Sequence, residues 1–203
     1  ERAVKTKVLN DNDHAPLLKL VGDLEYEAGN YEVAMEWFNK WMDFTCKEDG
    51  LTYLKIAKSY IEMKQMEKVI EPADKAIALM DPPKEGAYAL KVQSYYERKM
   101  FNEAIDVMET ALHVFPDSDT WYTRLGLFYQ ITEQYGKALA MFELSYMQGF
   151  LTTATQHKQF AQLYAVNGIP HKAAEIVEKH IKSGLIPRDK DNLSNVANSL
   201  YQA

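Results

Sequence analysis

An interval of 34 or 35 residues runs through the sequence and constrains its fold more than any other feature. Small or near-small residues recur at this interval, at Ala34, Val69, Ala104, Ala138 and Ala173. Nine residues before each lies a second marker, a tyrosine in all but the first unit: Glu25, Tyr60, Tyr95, Tyr129 and Tyr164. Self-similarity at a period of this length is typical of proteins that stack one supersecondary unit many times.

Each unit carries the pattern of two amphipathic helices. Apolar residues spaced three and four apart mark both helices, and a short polar turn such as Gly29-Asn30 separates them. Two antiparallel helices approach closely only where a side chain is small. We therefore expect Gly126 on one helix and Ala138 on the next to mark such a contact.

Glycine and proline stop signals divide the chain into five helix pairs within 15–188, at 15–49, 50–84, 85–118, 119–153 and 154–188. Residues 189–203 repeat the pattern of a first helix and are predicted to form a single C-terminal capping helix. Residues 1–14 hold few apolar residues, and we interpret them as the remnant of a preceding repeat. Pro72 lies inside a predicted second helix and predicts a bend near Glu71, whereas Pro170 is expected at a helix start.

Composition excludes several classes of function. With 47% hydrophobic residues the chain is not disordered. Its net charge of -6, with scattered basic residues, argues against nucleic acid as a partner. No apolar run is long enough to span a membrane. We therefore expect a protein partner.

Catalytic and metal-binding motifs are missing from the sequence. Cys46 is the single cysteine, and the five histidines form neither an HExxH motif nor a pair on one helix face. No glycine-rich phosphate loop and no G-x-S-x-G sequence occurs. We expect no enzymatic activity, no metal and no cofactor.

The repeated pattern resembles the tetratricopeptide repeat (TPR), as shown best by Gly126, Tyr129, Ala138 and Phe142. The resemblance implies an all-α fold, a right-handed α-solenoid of stacked helix-turn-helix TPR units. Two longer segments, Met147–Thr152 and Phe160–Ile186, are similar to bacterial TPR proteins encoded beside TonB energy-transduction systems. That similarity implies a periplasmic accessory of TonB-dependent uptake, with a TonB-complex subunit as a possible partner and with a signal peptide and further repeats before Glu1.

On the TPR pattern, the first helices line a concave groove that binds a protein or peptide. The positions implied to face this groove mix apolar, amide and charged side chains: Lys19, Asp23, Tyr26, Leu54, Lys58, Gln93, Tyr96, Thr123, Leu127, Lys158 and Gln162. The clamp with which some TPR proteins hold a C-terminal carboxylate is absent, because Asp23 occupies the place of an asparagine. A self-associating structural array, or an adaptor in another envelope assembly, remains the alternative to the TonB accessory.

Overall fold

A computed structural model describes residues 11–203, with side chains from His14 onward. This part of the chain is all-α, with eleven α-helices: α1 (Asp11–Glu27), α2 (Tyr31–Thr45), α3 (Gly50–Glu62), α4 (Ile70–Leu79), α5 (Glu85–Glu97), α6 (Phe101–Val114), α7 (Asp119–Ile131), α8 (Tyr135–Met147), α9 (Ala154–Val166), α10 (Pro170–Lys182) and α11 (Lys190–Tyr201). Successive helices form the hairpins α1–α2, α3–α4, α5–α6, α7–α8 and α9–α10, which α11 follows. The predicted fold class, an α-solenoid of helix-turn-helix units, is confirmed.

Helix α1 begins at Asp11, four residues before the start predicted for the first repeat. Residues 11–14, which we interpreted as part of a preceding repeat, are therefore its first turn. The interpretation of residues 1–10 lies outside the described residues. The division into repeat domains stays a prediction.

The chain divides into two compact units, and the boundary falls inside α6 between Val107 and Met108. In the first unit, Phe38, Tyr53 and Ile56 belong to one cluster of buried residues. In the second unit, the rings of Phe142 and Phe160 stack with their centroids 6.5 Å apart. Each unit therefore has a hydrophobic core of its own.

The turn inside every hairpin has the same geometry. One residue adopts a left-handed backbone conformation with φ between 58° and 81°: Gly29, Lys64, Lys99, Glu133 and Gly168. The next residue donates its N–H to the carbonyl of the marker residue at 25, 60, 95, 129 or 164, at 2.8 to 2.9 Å. This is the Schellman arrangement that ends a helix and reverses the chain. The 34- or 35-residue interval of the sequence is therefore an interval between identical turns.

Glycine permits the close approach of the two helices in two hairpins. A Cβ atom added to Gly22 would lie 2.7 Å from the ring of Phe38, and one added to Gly126 would lie 2.8 Å from the ring of Phe142. Both rings are almost fully buried, and Ala138 is fully buried. The close approach predicted at Gly126 is confirmed, and its neighbour on the next helix is Phe142, one turn after the buried Ala138.

The marker tyrosines of the second unit also bond to the preceding hairpin. Tyr129 donates its hydroxyl hydrogen to Glu109 on α6, and Tyr164 donates to Glu143 on α8 at 2.8 Å. Burial, together with the bond to Glu143, raises the pKa of Tyr164. Each glutamate lies five residues after the small residue of its own helix, so that the two bonds are equivalent in successive repeats.

The second helix of the α3–α4 hairpin is interrupted close to the place predicted, near Glu71, but the interruption precedes Pro72. A 3₁₀ turn at Met66–Lys68 precedes α4, which begins only at Ile70. Pro72 is therefore in the first turn, where a backbone N–H has no partner within the helix and its absence removes no hydrogen bond. Pro170 is the first residue of α10, as predicted.

The contact at Gly126 predicts opposite effects for two glycine-to-alanine substitutions. Gly126→Ala should lower the free energy of unfolding by about 1–3 kcal/mol, because the new methyl group overlaps a buried ring. Gly136→Ala on α8 is the matched control, since its Cβ would meet Asn167 only at an ordinary 3.9 Å. It should raise stability by up to about 1 kcal/mol. Urea unfolding measures both, and equal effects of the two variants would contradict the packing described here.

Candidate functional site

A groove of about 460 Å³ lies between α9, α10 and α11 in the second unit. We call it the C-terminal groove. Its floor is made of small apolar side chains, and its walls are polar: Ala161, Ala165, Ala173 and Val177 form the floor, and Lys158, Gln162, Asn192, Asn195, Asn198, Ser199 and Gln202 form the walls. A floor of alanines lets the main chain of a ligand come close to the helices.

Helix α11 is held in place by its first turn. Asp189 is the N-cap, and its carboxylate accepts the N–H of Asn192 at 2.8 Å. The buried amide of Asn192 donates to the carbonyl of Pro187 at 2.9 Å and to Asp189 at 3.0 Å. These bonds fix the start of α11, while the buried side chain of Val196 anchors its middle.

Three amide side chains on the helices that line the groove are exposed and available. Gln162 on α9 and Asn195 and Asn198 on α11 have no hydrogen-bond partner within the part of the chain that the structure describes. Each amide both donates and accepts hydrogen bonds. The groove therefore offers donors and acceptors on both walls.

The charge of the groove differs from that of the whole chain. Lys158 is the single charged residue among its lining residues, and it is exposed. The groove is thus locally positive in a chain whose net charge is -6. A ligand with an acidic group or a neutral polar surface suits it better than a cationic one.

Two of the predicted groove residues, Lys158 and Gln162, lie together in this groove. Two others, Lys19 and Asp23, are engaged in ion pairs that join α1 to the second hairpin. Lys19 Nζ lies 2.8 Å from Asp49, and Asp23 lies 2.8 Å from Lys55 Nζ. Burial raises the pKa of Asp49, but hydrogen bonds from Lys19 and Thr52 outweigh it and hold the pKa below its usual value. Lys19 and Asp23 are therefore occupied in stabilising the first unit.

The side chains of the other predicted residues differ in their exposure to solvent. Leu54 packs against the core of the first unit, and the Tyr26 ring packs edge-on against Tyr31 with their centroids 5.7 Å apart. The Thr123 hydroxyl donates to the carbonyl of Asp119 on its own helix at 3.0 Å. Exposed side chains are those of Lys58, Gln93, Tyr96 and Leu127. The role of all these residues in partner binding stays a prediction.

A second groove, of about 450 Å³, lies between α2, α3 and α4 in the first unit. Three of its polar side chains, those of Lys75, Tyr53 and Glu71, are in contact with one another. Lys75 Nζ donates to the Tyr53 hydroxyl at 3.3 Å and lies within ion-pair distance of Glu71 and Glu48. A ligand would have to compete with these contacts, so the C-terminal groove is the better candidate.

Sequence reasoning missed the amides of α11, because residues 189–203 were interpreted only as a cap. A signal was present in the spacing of Asn192, Asn195 and Asn198, which lie three residues apart and share one side of a helix. All three line the groove, but the first is bonded to the helix start and the other two are unpaired.

The described part of the chain holds neither a cluster suited to a metal ion nor a helix suited to a membrane. Among residues with described side chains, no three His, Cys, Asp or Glu residues are grouped so that they could hold a metal ion. None of the helices in 11–203 is long and apolar enough to cross a membrane.

The fold matches solved structures of known proteins. A crystal structure of MamA protein superposes with a TM-score of 0.63 at 21% identity, covering 83% of this chain and 90% of that one. The C-terminal part of a TPR repeat-containing protein from Cytophaga hutchinsonii superposes with a TM-score of 0.63 at 17% identity, covering 90% and 70%. The chain has the tetratricopeptide-repeat fold.

A third structure, MamA from residue 41 to its end from Desulfovibrio magneticus RS-1, gives a TM-score of 0.61 at 19% identity and covers 83% of this chain and 93% of that one. At these identities the likeness concerns the fold alone. No family model matches the sequence, and no curated protein matches it.

The anchoring of α11 predicts the effect of removing its N-cap. Asp189→Ala should cost about 0.5–2 kcal/mol and lower the hydrogen-exchange protection of α11. Asp189→Ser, which keeps a capping oxygen, should retain most of that protection. Hydrogen exchange measured by mass spectrometry checks both variants. Equal protection in Asp189→Ala and the wild-type chain would show that the cap does not hold the helix.

Proposed function

We propose that this protein is a non-enzymatic TPR adaptor that binds an extended segment of a partner protein in the C-terminal groove. The observation that carries the proposal is the set of unpaired amides on the two walls, at Gln162, Asn195 and Asn198. An extended main chain presents N–H and C=O groups, and a carboxamide side chain bonds to both.

The floor of the groove supports an extended ligand. Ala161 and Ala165 on α9 and Ala173 and Val177 on α10 line this floor. These side chains are small, so the main chain of a ligand reaches the amides without a large side chain in its way. The exposed ammonium group of Lys158 adds attraction for an acidic group of the ligand.

We further propose that the adaptor acts in the bacterial periplasm as an accessory of a TonB-dependent uptake system, with a TonB-complex subunit as its partner. The support is the sequence resemblance of Met147–Thr152 and Phe160–Ile186. The second segment spans most of α9 and all of α10, which supply one wall and the floor of the groove.

Self-association is a second candidate function, and an exposed apolar strip favours it. On α11, Leu193, Leu200 and Tyr201 are 43%, 46% and 93% exposed. In a TPR stack such a face is covered by another helix. A second copy of the chain would bury it.

A binding assay tests the adaptor proposal. Peptides of about 15 residues, selected from a random library on the wild-type chain, are measured by fluorescence anisotropy. The Asn195→Ala/Asn198→Ala variant should bind them at least about tenfold more weakly, because it loses hydrogen bonds worth about 1 kcal/mol each.

The matched control is Asn102→Ala/Gln148→Ala, which removes two exposed amides outside the groove. It should bind like the wild type. Equal affinity of both double variants would contradict the groove assignment.

The same assay with purified periplasmic domains of TonB-complex subunits tests the proposed role in TonB-dependent uptake. If peptides bind but no TonB-complex subunit does, the proposed role in TonB-dependent uptake is rejected and the adaptor proposal is retained.

Sedimentation velocity tests self-association. If α11 joins two copies, the average mass should rise with protein concentration, and Leu193→Ser/Leu200→Ser should abolish the rise. A constant monomer mass over the whole concentration range would exclude this second function.

A further inference from the structure

Two histidines that are 23 residues apart in sequence meet in the last hairpin. The rings of His157 on α9 and His180 on α10 have their centroids 3.7 Å apart. The Tyr146 ring on α8 packs edge-on against both, at 5.7 Å and 5.9 Å. The pair is thus part of the packing between three helices of the second unit.

The polar surroundings of the pair favour an uncharged His180 ring. His157 Nδ1 lies 2.9 Å from the carbonyl oxygen of Thr153. A carbonyl only accepts, so Nδ1 carries the hydrogen. His180 Nε2 is buried and has no hydrogen-bond partner among the described residues. A proton added there would be neither hydrated nor bonded to an acceptor.

The charges around the pair are positive. Lys179 lies next to His180, and its ammonium group donates to the Tyr146 hydroxyl at 2.6 Å. The glutamates of α8 and α10 have other partners, since Glu143 accepts from Tyr164, Glu175 lies 3.2 Å from His171, and Glu178 pairs with Lys182 at 3.5 Å. In the described structure, neither ring is hydrogen-bonded or ion-paired to a carboxylate. A protonated ring would therefore gain no compensating anion.

We propose that the His157–His180 contact makes the α9–α10 hairpin an acid-sensitive element, which is closed when the His180 ring is neutral and opens when it is protonated. Protonation would place a charge on a buried nitrogen that has no acceptor, in a ring whose centroid lies 3.7 Å from that of His157. Separation of α10 from α9 lets water reach the charged ring.

The direction of the pH dependence follows from linkage. Burial lowers the pKa of His180, and the neighbouring His157 and Lys179 lower it further. In the open state the ring returns to its ordinary pKa of about 6.5. The closed hairpin is therefore fully stable above about pH 6.5, and it loses stability as the pH falls from there towards the pKa of the closed state.

The same opening would affect the C-terminal groove. His157 lies one helical turn before Ala161, and His180 lies one turn after Val177, and both of these residues belong to the groove floor. Release of a groove ligand at acidic pH therefore follows, and this consequence alone rests on the proposed function. The opening of the hairpin does not depend on any ligand.

Hydrogen exchange of α9 and α10 between pH 7.5 and 5.0 tests the proposal, with rates corrected for the intrinsic pH dependence of exchange. In the wild-type chain, protection of the hairpin should fall up to about tenfold per pH unit within the titration window, relative to α7. In His180→Gln it should change less than twofold. The control, His171→Gln, removes an exposed histidine from the same helix and should behave like the wild type.

Constant protection in the wild-type chain, or an equal fall in His180→Gln, would overturn the proposal. If His180→Gln does not fold, NMR titration of the histidine rings in the wild-type chain decides. A His180 pKa at or above 6.5 would then overturn the proposal.

Binding of the library-selected peptides, measured at pH 7.5 and 5.5, distinguishes a failure of the adaptor proposal from a failure of the acid-sensitivity proposal. If no peptide binds at pH 7.5, the adaptor proposal is refuted. The hydrogen-exchange result is independent of peptide binding and decides the acid-sensitivity proposal alone.

Discussion

The structure depends on the close crossing of the two helices in each hairpin. At Gly126 and at Gly22 a buried phenylalanine ring occupies the space that a Cβ atom would need. The crossing is maintained because a turn of constant geometry ends each first helix, with a left-handed residue such as Gly168 and a hydrogen bond back to the marker residue. A change of one residue in the spacing between turn and small side chain would rotate the second helix by about 100° and turn its apolar face away from the first. This explains why the interval is kept although most side chains of the repeats differ.

The C-terminal groove is a consequence of the same packing rule. In the last hairpin the residues near the crossing are alanines and a valine, and they leave a floor without bulky side chains. Helix α11 provides the second wall because Asp189 and Asn192 fix its start. The amides that α11 and α9 present then have no partner in the hairpins. The groove combines a rigid floor with unsatisfied polar groups, which is the arrangement that favours binding of an extended chain.

The sequence predicts the helices well where the period is strong, as at Gly126, Ala138 and Tyr129. It fails near Pro72, because the helix starts four residues later than its pattern suggests and a 3₁₀ turn takes the preceding residues. Side-chain partners are harder to predict, since they depend on distances between helices. Lys19 and Asp23 match the pattern of groove residues, yet each finds an ion-pair partner from the second hairpin or just before it. The pairing of His157 with His180 likewise depends on how two helices cross, and neither residue shows it in its own segment.

The most direct test of the central claim, that the C-terminal groove is the binding site, is an NMR titration of the isotope-labelled chain with a library-selected peptide. Chemical-shift changes should concentrate on α9 and α11, with the side-chain amides of Gln162, Asn195 and Asn198 among the most affected signals. Changes confined to α2, α3 and α4, with α11 unaffected, would place the ligand in the other groove and contradict the assignment of the binding site.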